Sequence, residues 1–146
     1  MSGRKSHLAI VKSKYRPEII AGLYRGAVAV LDEAGASHEA VEVSGSLEIP
    51  AAVAILESGE TSFDGYVVLG CILKGETIHD EVIAYTVFGD LDRMACKKRL
   101  ALGNGILTVN TEAQAQERAD PQRQNRGGEA ARAALAMIDL RNKYCP

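Results

Sequence analysis

The 146-residue sequence predicts an α/β fold of three layers, with helices on both faces of a four-stranded parallel sheet. Three observations carry that prediction. Apolar runs of strand length alternate with stretches of helical period along the whole chain, and such alternation with right-handed crossovers means a parallel sheet. The run from Tyr66 to Leu73 is unbroken by a charged residue, as a strand buried on both faces requires. No internal repeat or long linker divides the chain, so residues 1–146 read as a single domain able to bury a core.

The elements follow in order. Residues 7–11 are a first strand, and Ser13 to Pro17 a loop whose proline suits the first helical position. The next helix sets Ile20, Leu23, Ala27 and Leu31 at three- and four-residue steps and ends at Gly35. Residues 39–43 are a second strand, with Val41 and Val43 on one face. Ser44-Gly45-Ser46 turns the chain into a helical stretch, 47–57, in whose first turn Pro50 is harmless. After the central strand, Lys74-Gly75-Glu76 breaks the pattern, and Gly75 permits a sharp turn. Thr77 with Asp80 reads as a capping-box-like start to a helix running to about Lys98, with Val82, Thr86, Leu91 and Met94 inward. Residues 105–109 are a fourth strand. Thr111 with Gln114 is another capping box, opening a short helix that must stop before Pro121. Residues 120–128 read as a polar loop, and the last helix runs from Glu129 to about Lys143, carrying Ala130, Ala133, Ala134, Met137, Ile138 and Tyr144. Four strands joined in this way make a small flavodoxin-like sandwich. So small a sheet, with alanine-rich helices, favours burial of further apolar surface by association.

The net charge of −2 offers nothing to attract nucleic acid or an anionic membrane surface, and no apolar run approaches a membrane span. The start, Met-Ser-Gly-Arg-Lys-Ser-His, lacks the apolar stretch of a signal peptide, so a cytoplasmic protein is expected. Cys71, Cys96 and Cys145 are odd in number and lack metal-ligand spacing. They read as two buried or half-buried thiols and one near the tail, neither a disulfide framework nor a zinc site.

In a parallel sheet the loops that follow the strands leave at one edge, where such folds bind ligands. That edge gathers Tyr15 and Arg16, then Gly45 to Glu48, then Gly75 to His79, and last Asn110 and Thr111. The turn before the third helix aims unpaired backbone N–H groups past the sheet, a place suited to phosphate, and His79 in its first turn can move protons near neutral pH. Each feature also has a plainer use. Asp80 and Glu81 already supply negative charge at that helix end, Tyr15 can serve in packing, and Glu48, Glu129 and Arg118 each complement a helix dipole without any ligand.

Taken together, the motifs go further. Gly45-Ser46-Leu47-Glu48-Ile49-Pro50, Gly75-Glu76-Thr77-Ile78-His79, Gly105-Ile106-Leu107-Thr108 and Gln116-Glu117-Arg118-Ala119 stand in the order and spacing of the lumazine synthases. The chain resembles that family from its first strand to its last helix, where Asn125-Arg126-Gly127-Gly128-Glu129 is similar to the family's Asn-Lys-Gly segment. The resemblance implies a transferase-type condensing enzyme that joins 5-amino-6-ribitylaminouracil to 3,4-dihydroxy-2-butanone 4-phosphate. The products are 6,7-dimethyl-8-ribityllumazine, phosphate and water, in the penultimate step of riboflavin biosynthesis, with no metal or cofactor.

The resemblance also implies roles. Tyr15 stacks on the pyrimidine; Ser46, Leu47 and Glu48 hold the ribityl chain; Cys71, Ile72 and Leu73 line the ring's edge, largely through backbone. Glu76 and Thr77 meet the phosphate through main-chain N–H, Arg118 of a neighbouring copy neutralises it, and His79 shuttles the proton. The substrate's own amine is the nucleophile, so the protein's share is mainly orientation. A histidine acid–base contributes about 10²–10⁴-fold, so loss of His79 slows turnover without abolishing it.

Some positions depart from the family pattern. Glu76 stands where alanine is frequent, Asn104 where an aromatic wall of the ring pocket is common, and Arg16 where asparagine is frequent. Asp80-Glu81-Val82 replaces an aromatic-Asp-aromatic stretch. Glu76 and Asn104 motivate an alternative, a flavin- or lumazine-binding homologue with little synthase activity. The family assembles as pentamers that share active sites between copies. Asp120 to Gln124 stand where shell-forming members carry Gly-Thr-Lys-x-Gly, so the expectation is a free homopentamer or decamer.

Overall fold

In the computed structural model, which describes residues 5–146, the strands β1 (His7–Ser13), β2 (Ser37–Val43), β3 (Gly65–Leu73) and β4 (Leu102–Val109) form one sheet. The order is β2-β1-β3-β4 and every neighbouring pair is parallel. The helices are α1 (Pro17–Glu33), α2 (Ile49–Ser58), α3 (His79–Lys98), α4 (Glu112–Ala119) and α5 (Arg126–Tyr144), with one 3-10 turn at Ser46–Glu48. The three-layer α/β sandwich expected from the alternation is what forms.

Strand periodicity divides the core in two. Leu8 and Ile10 of β1 and Val67, Leu69 and Cys71 of β3 face α1, α4 and α5. Ala9 and Val11, with Tyr66, Val68 and Ile72, face α2 and α3. Seven of the eight residues from Tyr66 to Leu73 are buried and Leu73 half-buried, which is why the sequence there is apolar at every position rather than at alternate ones.

Four local expectations are corrected. The helix expected from Thr77 begins at His79 with Ile78 at its N-cap and no side-chain cap. Thr77 Oγ1 instead accepts from the His79 N–H at 3.2 Å, and Asp80 Oδ1 accepts from the Gly75 N–H at 3.3 Å, so both side chains brace the turn before the helix. The inward face of α3 is also rotated: Val87 and Leu91 are buried and Ile83 and Met94 pack beside them, whereas Val82 and Thr86 are exposed. This helix carries two apolar stripes, and Ile78, Val82 and Tyr85 form the outward one.

The last helix begins at Arg126 and not Glu129. Asn125 takes a left-handed conformation, φ 48°, and its Oδ1 accepts from the Gly128 N–H at 3.2 Å. Gly127, read as loop, is inside the helix because a β-carbon there would lie 1.9 Å from the carbonyl oxygen of Leu23 in α1. Cys96 lies on the exposed side of α3, so Cys71 is the one buried thiol where two buried or half-buried ones were expected.

The Thr111 cap forms in a modified way. Its Oγ1 accepts from the Gln114 N–H at 3.1 Å, while Gln114 Oε1 reaches one residue further back, to the Asn110 N–H, at 2.7 Å. Among the described residues no helix is long and apolar enough to cross a membrane, and no cluster of three or more His, Cys, Asp or Glu side chains is placed to hold a metal ion.

Candidate functional site

At the carboxyl edge of the sheet two hydrogen bonds run past the strand ends, one for each outer pair of strands. The Lys14 N–H donates to the Val43 carbonyl at 2.8 Å, and the Lys74 N–H to the Val109 carbonyl at 2.9 Å. The loops after β1 and β2 therefore start level with each other, and those after β3 and β4 start level with each other about three residues further along the sheet.

After β1, the Tyr15 N–H donates to Ser13 Oγ at 3.0 Å, and the Tyr15 ring stands 56% exposed at the rim. Arg16, left-handed at φ 60°, is the N-cap of α1. Its guanidinium lies 5.4 Å from the Tyr15 ring centroid and pairs with the carboxylate of Glu112 at the start of α4.

After β2, the 3-10 turn buries Ser46 and leaves Leu47 and Glu48 exposed. Glu48 Oε1 accepts from Ser44 Oγ at 2.9 Å. The Ser46 hydroxyl is sealed without a protein partner and nests against β3, where a β-carbon on Gly70 would come within 2.5 Å of it. Gly70 is thus a matter of room for the turn rather than of backbone freedom.

At the end of β3, Cys71 and Ile72 are buried and Leu73 half-buried. Burial pushes the Cys71 thiol up to about 11; the Arg16 charge pulls it down and the Glu112 charge raises it further. At neutral pH it is a neutral wall residue and not a nucleophile. Beyond it, Gly75 to Ile78 are exposed, and His79 stands exposed on the first turn of α3. With no side-chain cap on α3, the helix start remains open to an anion. Asp80 is turned back toward Gly75 and Thr77 toward His79, so neither fills it.

Tyr15, Ser46, Leu47, Glu48, Cys71, Ile72, Leu73, Glu76, Thr77 and His79 therefore belong to one edge of the chain. Two candidates do not. Asn104 pairs across from Val68 and lies about 16 Å back along β4 from Val109. Its Oδ1 accepts from the Ile106 N–H at 2.9 Å. Arg118 is about 10 Å along α4 from Thr111, half-buried, with Nη1 reaching the Gln114 carbonyl at 3.4 Å.

A large groove, about 1020 Å³, is also away from this edge. Tyr85, Phe88, Leu102, Met137, Leu140 and Tyr144 line it, with Asn104 on its wall. The residue that sequence reasoning missed is Glu112. A carboxylate in a helix's first turn already has a sufficient explanation in the dipole, and nothing in the spacing links it to Arg16.

A family model described as 6,7-dimethyl-8-ribityllumazine synthase matches residues 5–142. The 6,7-dimethyl-8-ribityllumazine synthase of Bartonella tribocorum is 47% identical over 141 residues, covering 97% of this chain and 93% of the relative. That of Methylocella silvestris is 49% identical over 136 residues, covering 90% and 83%. That of Agrobacterium fabrum is 41% identical over 143 residues, covering 95% and 97%. On a match that spans nearly every element just described, the chain belongs to the 6,7-dimethyl-8-ribityllumazine synthase family.

Proposed function

We propose that the strand edge carries the reaction of its family, the condensation of 5-amino-6-ribitylaminouracil with 3,4-dihydroxy-2-butanone 4-phosphate in riboflavin biosynthesis. The observation that carries this reading is the gathering of an exposed Tyr15 ring, the Ser46–Glu48 turn and an uncapped α3 start bearing His79 on one edge. The pyrimidine stacks on Tyr15 with its ring edge along the backbone of Cys71, Ile72 and Leu73. The ribityl hydroxyls meet the 3-10 turn, donating to Glu48. The phosphate meets main-chain N–H groups around Glu76 and Thr77.

The pyrimidine's 5-amine attacks the ketone to give an imine with loss of water. His79 moves the proton as phosphate leaves, the enol so formed becomes a ketone, and the ribitylamino nitrogen attacks that carbonyl to close the second ring with loss of a second water. Held in this geometry, the two substrates react as if at high effective concentration. No protein nucleophile is needed, which agrees with a Cys71 thiol kept neutral by burial.

Arg118 and Asn104 enter on the same reading from a second copy of the chain. The apolar groove and the outward stripe of Ile78, Val82 and Tyr85, the last 81% exposed, support a partner surface of matching character. A heterologous contact that closes into a ring brings one copy's Arg118 to the next copy's edge, as a homopentamer or decamer does. Asp120 to Gln124 at the end of α4 support the free ring over a shell. Three unpaired cysteines suit the cytoplasm.

The test is turnover of the two substrates, followed by lumazine absorbance with the uncatalysed background subtracted, for wild type and Arg118→Ala. Turnover that collapses in the variant is expected. No turnover above background, with riboflavin still bound, replaces this reading by a flavin-binding homologue.

A further inference from the structure

Arg16 stands at the proposed site without a part in the reaction, and helix stability does not explain it. A cation at a helix N-terminus opposes the dipole, and a non-glycine residue at φ 60° is strained. Its guanidinium is nevertheless held in place on two sides. It lies over the Tyr15 ring, and it pairs with Glu112, tying the loop after β1 to the start of α4 across 96 residues of chain. Its Nε is sealed from solvent without a partner, so the stem enters the body of the edge instead of trailing in water. Its charge reaches Cys71 in the floor of the same site.

We propose that Arg16 and Glu112 form a clamp that fixes the Tyr15 ring as a ready-made platform for the aminopyrimidine. The inference rests on the function proposed above and deepens it: Arg16 is a positioning residue that acts through Tyr15. An aromatic ring that is 56% exposed must otherwise be ordered when the ligand stacks, at a cost to binding. A guanidinium already on the ring removes that cost beforehand. Glu112 matters because it holds the guanidinium. Loss of the clamp therefore weakens binding of the pyrimidine without slowing the chemistry that follows.

The experiment is a mutant cycle on the full-length protein: Arg16→Ala, Glu112→Gln, Tyr15→Ala, and Tyr15→Ala with Arg16→Ala. KM for each substrate and kcat are measured, and 6,7-dimethyl-8-ribityllumazine is titrated in parallel at equilibrium. Arg16→Ala and Glu112→Gln are expected to raise the pyrimidine KM and the lumazine dissociation constant about three- to fivefold. KM for the butanone phosphate and kcat should stay within about twofold of wild type. In the Tyr15→Ala background, Arg16→Ala should add nothing.

An unchanged pyrimidine KM in both single variants overturns the clamp, as does an undiminished effect of Arg16→Ala when the ring is absent. Should Arg16→Ala fail to fold, Glu112→Gln, at an exposed helix end, carries the same test. Failure of the proposed function is a separate outcome: wild type then shows no turnover, and the clamp is judged from the lumazine titration alone.

Discussion

Replacing Gly103 by alanine tests the contact that holds α5 against the sheet. A β-carbon there would lie 1.8 Å from the Ala130 carbonyl oxygen, 2.8 Å from its carbon and 3.2 Å from the Ala134 nitrogen. All three are backbone atoms, so no side chain can rotate out of the way. The helix must retreat by roughly an ångström, which loosens Ala130, Ala131, Ala134 and Ile138 from Val67, Leu69 and Leu107. Overpacking usually costs 1–3 kcal/mol, and an obstacle made of backbone puts this case at about 3 kcal/mol. The reduced freedom of the unfolded chain returns only about 0.4–1 kcal/mol.

Gly35 is the control. It has φ +76° and nothing within 4 Å, so Gly35→Ala meets backbone strain alone, about 1–2 kcal/mol. Urea unfolding followed by far-ultraviolet circular dichroism reads both, at one protein concentration, because association adds to stability. Gly103→Ala should lower the midpoint by about 1 M or more. A Gly103→Ala protein within about 0.5 kcal/mol of wild type, or one more stable than Gly35→Ala, refutes the close-approach argument.

The buried thiol gives a pH dependence. Cys71 has its folded-state pKa raised from 9.0 to about 11, so its contribution is complete below pH 9 and is lost as pH rises through 11. Burial and the Glu57 carboxylate raise the Tyr66 hydroxyl as well, which acts in the same direction at still higher pH. Wild type should lose up to about 2–3 kcal/mol across that window beyond what Cys71→Ala loses, and an equal loss in both would sink the assignment. Iodoacetamide at pH 8 should spare Cys71 until the protein unfolds, as mass spectrometry of the peptides will show; labelling of Cys71 in the folded protein would contradict its burial. Thr111→Ala removes the Oγ1 that accepts from Gln114 N–H and should cost about 1 kcal/mol in the same urea assay; no change would mean that the Gln114 bond to Asn110 suffices to start α4.

What the sequence makes legible depends on how many explanations a residue admits. The run at β3 admits one, because only burial on both faces tolerates apolar side chains at every position. The face of α3 admits two, since Val82 with Ile78 and Tyr85 is as apolar as Ile83 with Val87 and Leu91. Periodicity identifies such a helix but not which stripe meets the sheet. The start of α5 is hidden in the sequence for a related reason. Glycines at 127 and 128 look like loop, yet Gly127 is there for the 1.9 Å approach to Leu23 that any side chain would block, a contact between segments 104 residues apart.

The candidate site divides along the same line. Parallel strand order alone collects Tyr15, Ser46–Glu48 and Gly75–His79, because each directly follows a strand and the edge is common to all. It cannot collect Glu112 onto Arg16, since the helix dipole explains that carboxylate fully until the guanidinium is seen beside it. Nor does any property of a single chain bring Asn104 or Arg118 to the edge: one is on the wall of the apolar groove, the other near the far end of α4. If these two act in the reaction, they act across a boundary between copies. The apolar groove, large and lined by exposed aromatic and aliphatic side chains, is then as much a part of the active site as the histidine.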